Sequence, residues 1–230
     1  MQRLATQVDE DVRVRVARQR RERMRERLLS ATLSIYLNGR EGGPAIAEDV
    51  IKAAGVSRGT FYKYFNSVDE AVSAVGQRLA DQAVRELIAA VPDKKVGPLA
   101  GAALGAQMLM CRSALQPGWG DFVSRSDHLS KDSAYVAAVR RTTLAGRAVG
   151  DFKFKSAKAA VDFQIGAVMG AMRRLVAGQS HPREYIREVA AITLKGLGAD
   201  HERSEAASIR ASHDLSIIGP RHLPWWREFS

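Results

Sequence analysis

The residues best suited to chemistry lie in one short stretch, 55–65, with the sequence Gly-Val-Ser-Arg-Gly-Thr-Phe-Tyr-Lys-Tyr-Phe. Its hydroxyl, guanidinium and ammonium groups are donors that suit phosphates and base edges. Phe61, Tyr64 and Phe65 recur at i, i+3 and i+4, which predicts the buried side of a helix. The small, hydroxylated and basic residues then lie on its exposed side, and they are Ser57, Arg58, Gly59, Thr60, Tyr62 and Lys63. The pattern predicts a surface that binds a polyanion.

A glycine separates two short helices in this part of the chain. Residues 45–54 show helical spacing, and Gly55 follows where that helix ends. Glycine accepts the left-handed backbone that lets two helices cross steeply, because it has no Cβ. Ser57 is then placed to cap the next helix by accepting a hydrogen bond from the backbone N–H near Thr60. The sequence therefore predicts a helix-turn-helix whose recognition helix covers residues 57–64.

A second cationic segment precedes this motif. Residues 13–27 hold eight arginines and two glutamates. A solvated helix end with Arg–Glu pairs at helical spacing explains such a run, for example Arg18 with Glu22. An arm along a polyanion explains it equally well, because the arginine fork pairs with phosphate and fits a narrow minor groove. On the second explanation the contacting arginines are Arg20, Arg21 and Arg23.

The string from Ala54 to Phe65 resembles the recognition region of the TetR family of transcriptional regulators. The resemblance covers residues 28–71, about a fifth of the chain, and the remainder is compatible in helix number and length. It implies an all-α homodimer with a three-helix N-terminal DNA-binding domain and a larger helical ligand-binding domain. It also implies a repressor that a small molecule releases from its operator DNA.

Three positions depart from the family pattern. Ile46 stands where the second helix of the family usually opens with Thr, and Ile51 stands where Ala is usual. Val68 occupies the place of a lysine that touches phosphate. We expect the arginine-rich segment to offset that missing phosphate anchor.

Other chemistries find less support in the sequence. Residues 55–59 match the G-x-S-x-G pattern of serine hydrolases, but that elbow needs a preceding strand and here a helical segment precedes it. Cys111 is the single cysteine, so there is no internal disulfide, and it suits a buried thiol better than an accessible nucleophile. The five histidines include no i, i+4 pair. We expect no catalytic residue, no metal and no cofactor.

Composition places the chain among globular proteins. It has 230 residues, of which 46% are hydrophobic and 26% are charged, with a net charge of +10. The longest uncharged run, residues 96–111, is 16 residues long, and a membrane span needs roughly 18–20 apolar residues. Acidic residues at positions 9–11 interrupt the apolar stretch that a signal peptide requires. We therefore expect a cytoplasmic protein with no membrane partner.

Helical periodicity recurs along the chain, without a convincing run of β-alternation. Helices are predicted over residues 18–38, 45–54, 57–65, 68–90, 97–115, 119–129, 133–149, 156–177 and 183–197. We expect an all-α fold made of a flexible leader, a DNA-binding domain, a ligand-binding and dimerisation domain, and a C-terminal tail. Their predicted bounds are residues 1–17, 18–68, 69–200 and 201–230.

Large soft and aromatic side chains in the second half predict a site for a small hydrophobic ligand. Such side chains wall apolar pockets, although ordinary core packing explains any single one of them better. The candidates are Met108, Cys111, Trp119, Phe122, Phe163 and Met169. Arg112, Asp127 or His128 would supply a polar contact.

Two features bear on self-association. Gly and Ala recur at i, i+4 in the helix over residues 156–177, which lets two helices approach closely. The resemblance implies that this helix and the one over residues 183–197 form a four-helix dimer interface, and packing within one subunit is the alternative. The tail carries adjacent tryptophans at 225 and 226, which are costly to leave in water. We expect the tail to dock on its own or its partner's surface and to reinforce the dimer.

Three classes of function follow from these observations. The first is a dimeric, sequence-specific DNA-binding regulator, a repressor released by a small hydrophobic ligand. The second is an effector-independent architectural DNA-binding protein, which predicts a C-terminal core without a cavity. The third is an enzyme that uses Ser57 or Cys111.

Overall fold

The computed structural model describes residues 2–38, 46–91, 96–125 and 133–229. The described residues form ten α-helices and no strand, which confirms the all-α fold. In chain order the helices are α1 (Gln2–Asn38), α2 (Ala47–Ala54), α3 (Arg58–Tyr62), α4 (Val68–Ala90), α5 (Pro98–Leu115), α6 (Pro117–Arg125), α7 (Ala134–Ala148), α8 (Ala157–Val176), α9 (Pro182–Gly196) and α10 (His201–His222).

The first helix begins far earlier than the sequence predicts. α1 starts at Gln2, whereas the prediction places a leader over residues 1–17 and a helix start at Arg18. Once a helix is nucleated, each added residue gains a hydrogen bond at little cost, and Arg, Gln and Ala are good helix formers. The period-two spacing of Val12, Val14 and Val16 does not prevent this extension.

The last helix lies in the stretch predicted as a polar tail. Asp200 caps α10 by accepting a hydrogen bond from the backbone N–H of Arg203 at 3.0 Å, and that bond lowers the pKa of Asp200. The buried side of α10 includes Ser204, Ser208 and Ala211. Because these side chains are small or polar, hydrophobic periodicity does not reveal the first turns of this face, and the apolar Leu215 and Ile218 follow only near its end.

The chain divides into two compact units, residues 1–75 and 76–230, and the division falls inside α4. In the first unit α1 packs against α2, and α2 against α3. Its core consists of aliphatic and aromatic side chains that are almost fully buried, including Leu28, Leu29, Val50, Phe61 and Phe65.

In the second unit α5 is the central helix, since it packs against α6, α7, α8, α9 and α10. Even its polar residues Gln107 and Ser113 are buried. Ser113 donates a hydrogen bond to the carbonyl of Met172 on α8 at 3.1 Å. Gly120 on α6 lies so close to Ser113 that a Cβ there would overlap it, so glycine is needed for this contact. α5 is thus the scaffold on which the cavities of this unit are built.

Candidate nucleic-acid interface and effector cavity

The turn of the helix-turn-helix has the predicted geometry. Gly55 is left-handed, with φ 59° and ψ 46°, and its N–H donates to the carbonyl of Lys52 at 3.1 Å. The next N–H, of Val56, donates to the carbonyl of Ile51 at 3.1 Å. Arg27 of α1 donates to the carbonyl of Gly55 at 3.4 Å. These bonds satisfy the end of α2 and direct the chain into α3.

Ser57 caps the recognition helix as predicted. Its hydroxyl accepts the backbone N–H of Thr60 at 3.1 Å and lies 2.9 Å from the hydroxyl of Thr60. The regular helix, Arg58–Tyr62, is shorter than the predicted 57–64, because the chain tightens at Tyr64, whose N–H bonds to the carbonyl of Phe61 at 2.9 Å. The recognition helix is therefore short, and it is held by a side-chain cap and a buried ring.

The two faces of this helix separate as the sequence predicts. Phe61 and Phe65 are buried with ring centroids 6.0 Å apart, and Tyr64 is half-buried. Thr60 is half-buried too, and the remaining predicted DNA-contacting residues of the motif are exposed: Ser57, Arg58, Gly59, Tyr62 and Lys63. This is a compact surface of hydroxyl, guanidinium and ammonium donors.

Arg58 has two partners within its own domain. Its Nη1 lies 3.0 Å from Oε1 of Glu48 on α2, in a pair whose side chains are 70% and 56% exposed. Its guanidinium also lies over the ring of Tyr62, 5.6 Å from the centroid. Both contacts are at the surface, so an arriving anion can replace Glu48 at low cost.

The arginines of α1 fall into two groups. Arg25 lies over the ring of Phe65 at 5.6 Å, and Arg27 bonds to Gly55, so these two brace the helix-turn-helix. Arg18 pairs with Glu22 at 2.9 Å, as the solvated-helix explanation predicts. The predicted DNA contacts Arg20, Arg21 and Arg23, which precede Arg25 in α1, are all exposed.

The second unit holds an apolar cavity between α4, α5, α7 and α8. Its volume is about 160 Å³, several times the roughly 30 Å³ that one water occupies. Gln164 is a polar group on its wall and accepts a hydrogen bond from Thr143 at 2.9 Å. Burial raises the pKa of Tyr135, another lining residue, so its hydroxyl stays protonated. Most of the remaining wall is apolar, with Ala83, Leu87, Met108, Val139 and Val168.

Solved structures resemble the chain in fold. RolR in complex with the ligand resorcinol is 20% identical, with a TM-score of 0.65 over 84% of this chain and 96% of RolR. TylP, a TetR regulator from Streptomyces fradiae, is 15% identical, with a TM-score of 0.55 over 87% of this chain and 98% of TylP. No protein-family model matches the chain, and no curated protein matches its sequence. The chain has the fold of a TetR regulator.

Within this TetR fold the predicted ligand residues lie in different places. Met108 lines the apolar cavity, whereas Cys111 lines a second cavity on another side of α5. Phe163 is 44% exposed on α8. The other three, Trp119, Phe122 and Met169, are buried. Of the proposed polar contacts, Arg112 is buried, and Asp127 and His128 lie outside the described residues.

Cys111 is buried, and burial raises its pKa to about 12. Its thiol therefore stays protonated at neutral pH, unlike the thiolate of a nucleophilic cysteine. In the described part of the chain, His, Cys, Asp and Glu form no group that could hold a metal ion. None of the described helices is long and apolar enough to span a membrane.

Sequence reasoning missed a buried polar cluster in the TetR fold. Arg112 of α5 pairs with Glu86 of α4 at 2.9 Å and lies over the ring of Trp119 at 4.4 Å. Trp225, beyond α10, donates its indole N–H to the same glutamate at 2.9 Å. The tail thus docks on its own chain. The tryptophan pair was a signal that the tail docks, but nothing in the sequence points to Glu86 as the acceptor.

Proposed function

We propose that the chain is a dimeric, sequence-specific DNA-binding transcriptional regulator, a repressor that a small hydrophobic ligand releases from its operator. The observation that carries this proposal is the exposed donor surface of α3, held by a capped turn and a buried aromatic core. We assign DNA binding to residues 18–68, and ligand binding and dimerisation to residues 69–200. In this proposal the protein binds DNA in the cytoplasm and catalyses no reaction.

Within the recognition surface, each side chain has a role that its chemistry suits. Arg58 exchanges Glu48 for a phosphate or a base edge, because its present ion pair is exposed. Lys63 binds phosphate as a point charge, and Tyr62 and Thr60 donate hydroxyl hydrogen bonds. Ser57 anchors the N-terminal end of the helix while capping it.

The exposed arginines of α1 supply salt-sensitive affinity in this proposal. Arg20, Arg21 and Arg23 lie on a helix, so replacing them with Gln removes charge while keeping helix propensity. Each phosphate contact contributes about 0.9 to the slope of log affinity against log salt. The triple variant, or deletion of residues 1–22, is expected to lower that slope. Arg140→Gln, which removes an exposed arginine of α7, is the control. An unchanged slope in the triple variant contradicts the proposal that the arginines of α1 contact phosphates.

A face of α8 and α9 is suited to a second copy of the chain. Phe163 and Ile192 are 44% and 51% exposed, and a Cβ on Gly166 or Gly170 would meet nothing within 4 Å. A two-fold dimer through this face would present two recognition helices to DNA. Their separation would be roughly 34–36 Å, one turn of DNA, or a multiple of that distance. Ile192→Glu is expected to yield monomers in light scattering. Ile217→Glu, on α10, is the matched control.

The cavity between α4, α5, α7 and α8 supports the ligand-controlled function over the architectural alternative, which predicts a core without a cavity. Its apolar wall, with Thr142 and Gln164 among its few polar residues, suits a small aromatic molecule. The similarity to RolR, which was solved with resorcinol, agrees with that class. The ligand acts by favouring a conformation whose recognition helices no longer match two successive grooves.

Fluorescence anisotropy tests this proposal directly. The protein is titrated against its own upstream intergenic DNA, with random duplex as competitor, at two salt concentrations. Preference for the upstream duplex that survives the higher salt is the expected result. Equal binding to both duplexes favours the architectural alternative, and binding to neither contradicts the assignment of the helix-turn-helix.

A further inference from the structure

A second cavity lies on the other side of α5, between α5, α9, α10 and the segment that follows α10. Its volume is about 280 Å³, against roughly 30 Å³ for one water. α5 also lines the cavity between α4, α5, α7 and α8, so the two cavities share this helix. Its lining combines cationic, hydroxyl and aromatic side chains, among them Arg183, Arg187, Ser212, His213, Trp226 and Phe229.

The aromatic wall of this cavity is built into the fold. Trp225 is 4% exposed and bonds to Glu86, which fixes the segment after α10. Trp226 packs onto Gly219 of α10, where any Cβ would overlap the indole ring. The ring of Phe229 meets Trp226 edge-on, with centroids 6.3 Å apart. A fixed aromatic wall of this kind is a surface on which an apolar ring can pack.

The cationic side of the cavity lacks a matching anion. Arg183 and Arg187 lie one turn apart on α9, a spacing at which like charges repel. In the described part of the chain, no carboxylate lies within ion-pair distance of either guanidinium. Glu205 forms an ion pair with Lys195 at 2.9 Å, and this pair is the main cause that lowers the pKa of Glu205. Arg187 lowers that pKa to a smaller extent. Arg183 instead lies over the ring of Phe229 at 5.3 Å.

The inner end of the cavity is uncharged. Ile186 and Leu215 line it and are buried, and Cys111 is a protonated thiol because of its own burial. A ligand that fits has an apolar body for this end and the aromatic wall, and one anionic group for the arginines. A carboxylate suits the arginine fork better than a neutral amide, because both of its oxygens accept charge-assisted hydrogen bonds.

We propose that this cavity is a binding site for a small organic carboxylate, distinct from the cavity between α4, α5, α7 and α8, which we call the effector cavity. Arg183 and Arg187 hold the carboxylate, and the hydroxyl of Ser212 donates a further hydrogen bond. The apolar body packs against Trp226 and Phe229. Glu184 lines a neighbouring depression together with Arg183 and Phe229.

Benzoate is the probe that tests this site, and benzamide, its neutral analogue of the same shape, is the control ligand. Tryptophan fluorescence and thermal melting of the full chain are followed during each titration. Benzoate is expected to give a saturable fluorescence change and a higher melting temperature, with benzamide at least tenfold weaker. Absence of a saturable response to benzoate, or an equal response to benzamide, overturns the proposal.

Variants then locate the bound benzoate. Arg183→Gln/Arg187→Gln is expected to weaken binding at least tenfold. The matched control is Arg140→Gln/Arg147→Gln, which removes two exposed arginines of α7, one of them also lying over an aromatic ring. Equal binding by the Arg183/Arg187 variant and the control overturns the proposal, provided that both unfold cooperatively.

Two further substitutions separate this site from the effector cavity. Gly105→Val fills the effector cavity beside Leu87 and is expected to leave the benzoate response unchanged. Trp226→Phe keeps an aromatic wall and is expected to remove most of the fluorescence change while the melting shift remains. Loss of benzoate binding in Gly105→Val would assign the ligand to the effector cavity and overturn the second site. None of these outcomes depends on DNA binding.

Discussion

Two arginine–glutamate pairs of almost equal length lie in very different surroundings. Arg58 and Glu48, in the first unit, are 3.0 Å apart and 70% and 56% exposed. Arg112 and Glu86, in the second, are 2.9 Å apart and 8% and 16% exposed. Both arginines also lie over an aromatic ring, Arg112 over the buried Trp119 and Arg58 over the exposed Tyr62.

Burial, not distance, decides what an ion pair can do. An exposed pair contributes roughly 0.2–1 kcal/mol, so Arg58 can exchange Glu48 for another anion at low cost. Breaking a buried pair leaves a charge without compensation, at a cost of about 3–5 kcal/mol. Burial also lowers the pKa of Arg112, and Glu86 opposes that shift. The first pair suits a recognition surface, and the second suits a fixed junction of helices.

Breaking the buried pair is expected to have the largest effect. Arg112→Ala leaves Glu86 buried without its cation and removes the stacking on two tryptophans, so the free energy of unfolding should fall by about 3–5 kcal/mol in urea denaturation. Arg147→Ala is the matched control, because this arginine also lies over an aromatic ring but is exposed. A loss below about 1 kcal/mol for Arg112→Ala would remove the distinction between the two pairs.

Removing the exposed arginine should affect DNA binding instead of stability. Arg58→Ala is expected to weaken operator binding by about 1–3 kcal/mol and to relax base preference. Anisotropy titrations on matched and altered duplexes measure both effects. Its unfolding free energy should change by no more than roughly 1 kcal/mol, since its ion pair is exposed. Lys63→Ala should weaken binding to all duplexes alike. Unchanged DNA affinity in both variants would contradict the recognition surface.

The start of α2 offers a smaller effect that concerns stability alone. Ile46 occupies the N-cap position without a hydroxyl, and Asp49 accepts its backbone N–H at 3.0 Å. Ile46→Thr supplies the missing cap and is expected to stabilise the first unit by about 1 kcal/mol. Ile46→Val controls for the change in shape. Equal unfolding free energies for the Thr and Val variants would show that the hydroxyl makes no cap here.

The smallest effect is expected from freeing Arg58. Glu48→Gln removes the partner's charge and should change the unfolding free energy by less than about 1 kcal/mol. Because Arg58 no longer has to leave an ion pair, DNA affinity should rise slightly at low salt. The Glu48→Gln/Arg58→Ala double variant is the check, and it should lose that gain. A loss of affinity in Glu48→Gln alone would mean that the pair positions Arg58 for DNA.

The helix-turn-helix could be predicted because its determinants are close together in the chain. Gly55 ends one helix, Ser57 caps the next, and Phe61 and Phe65 mark the buried side within eleven residues. Each of these signals acts through local backbone geometry or helical period. The structure confirms the turn, the cap and the two faces.

In the second unit the sequence predicted the helices up to α9, but not which of their side chains line a cavity. Met108 lines the effector cavity, yet Phe163, chosen on the same grounds, is exposed on α8. Periodicity indicates which side chains point away from water, but a cavity exists where helix backbones stand apart, and that depends on packing across the whole unit. α10 was not predicted, because the first turns of its buried side carry small and polar residues such as Ser204 and Ser208, and the apolar Leu215 and Ile218 follow only near its end.

Local propensity and spacing in the sequence are enough to predict the all-α class, the turn at Gly55, the cap at Ser57 and the chemistry of the exposed donors. Packing in three dimensions brings Trp225 to Glu86, 139 residues earlier in the chain, and leaves two cavities beside α5. It also buries one of two similar ion pairs and leaves the other exposed. These outcomes depend on contacts between distant segments, whose partners are chosen by the packing of complete helices and not by any pattern in a single one.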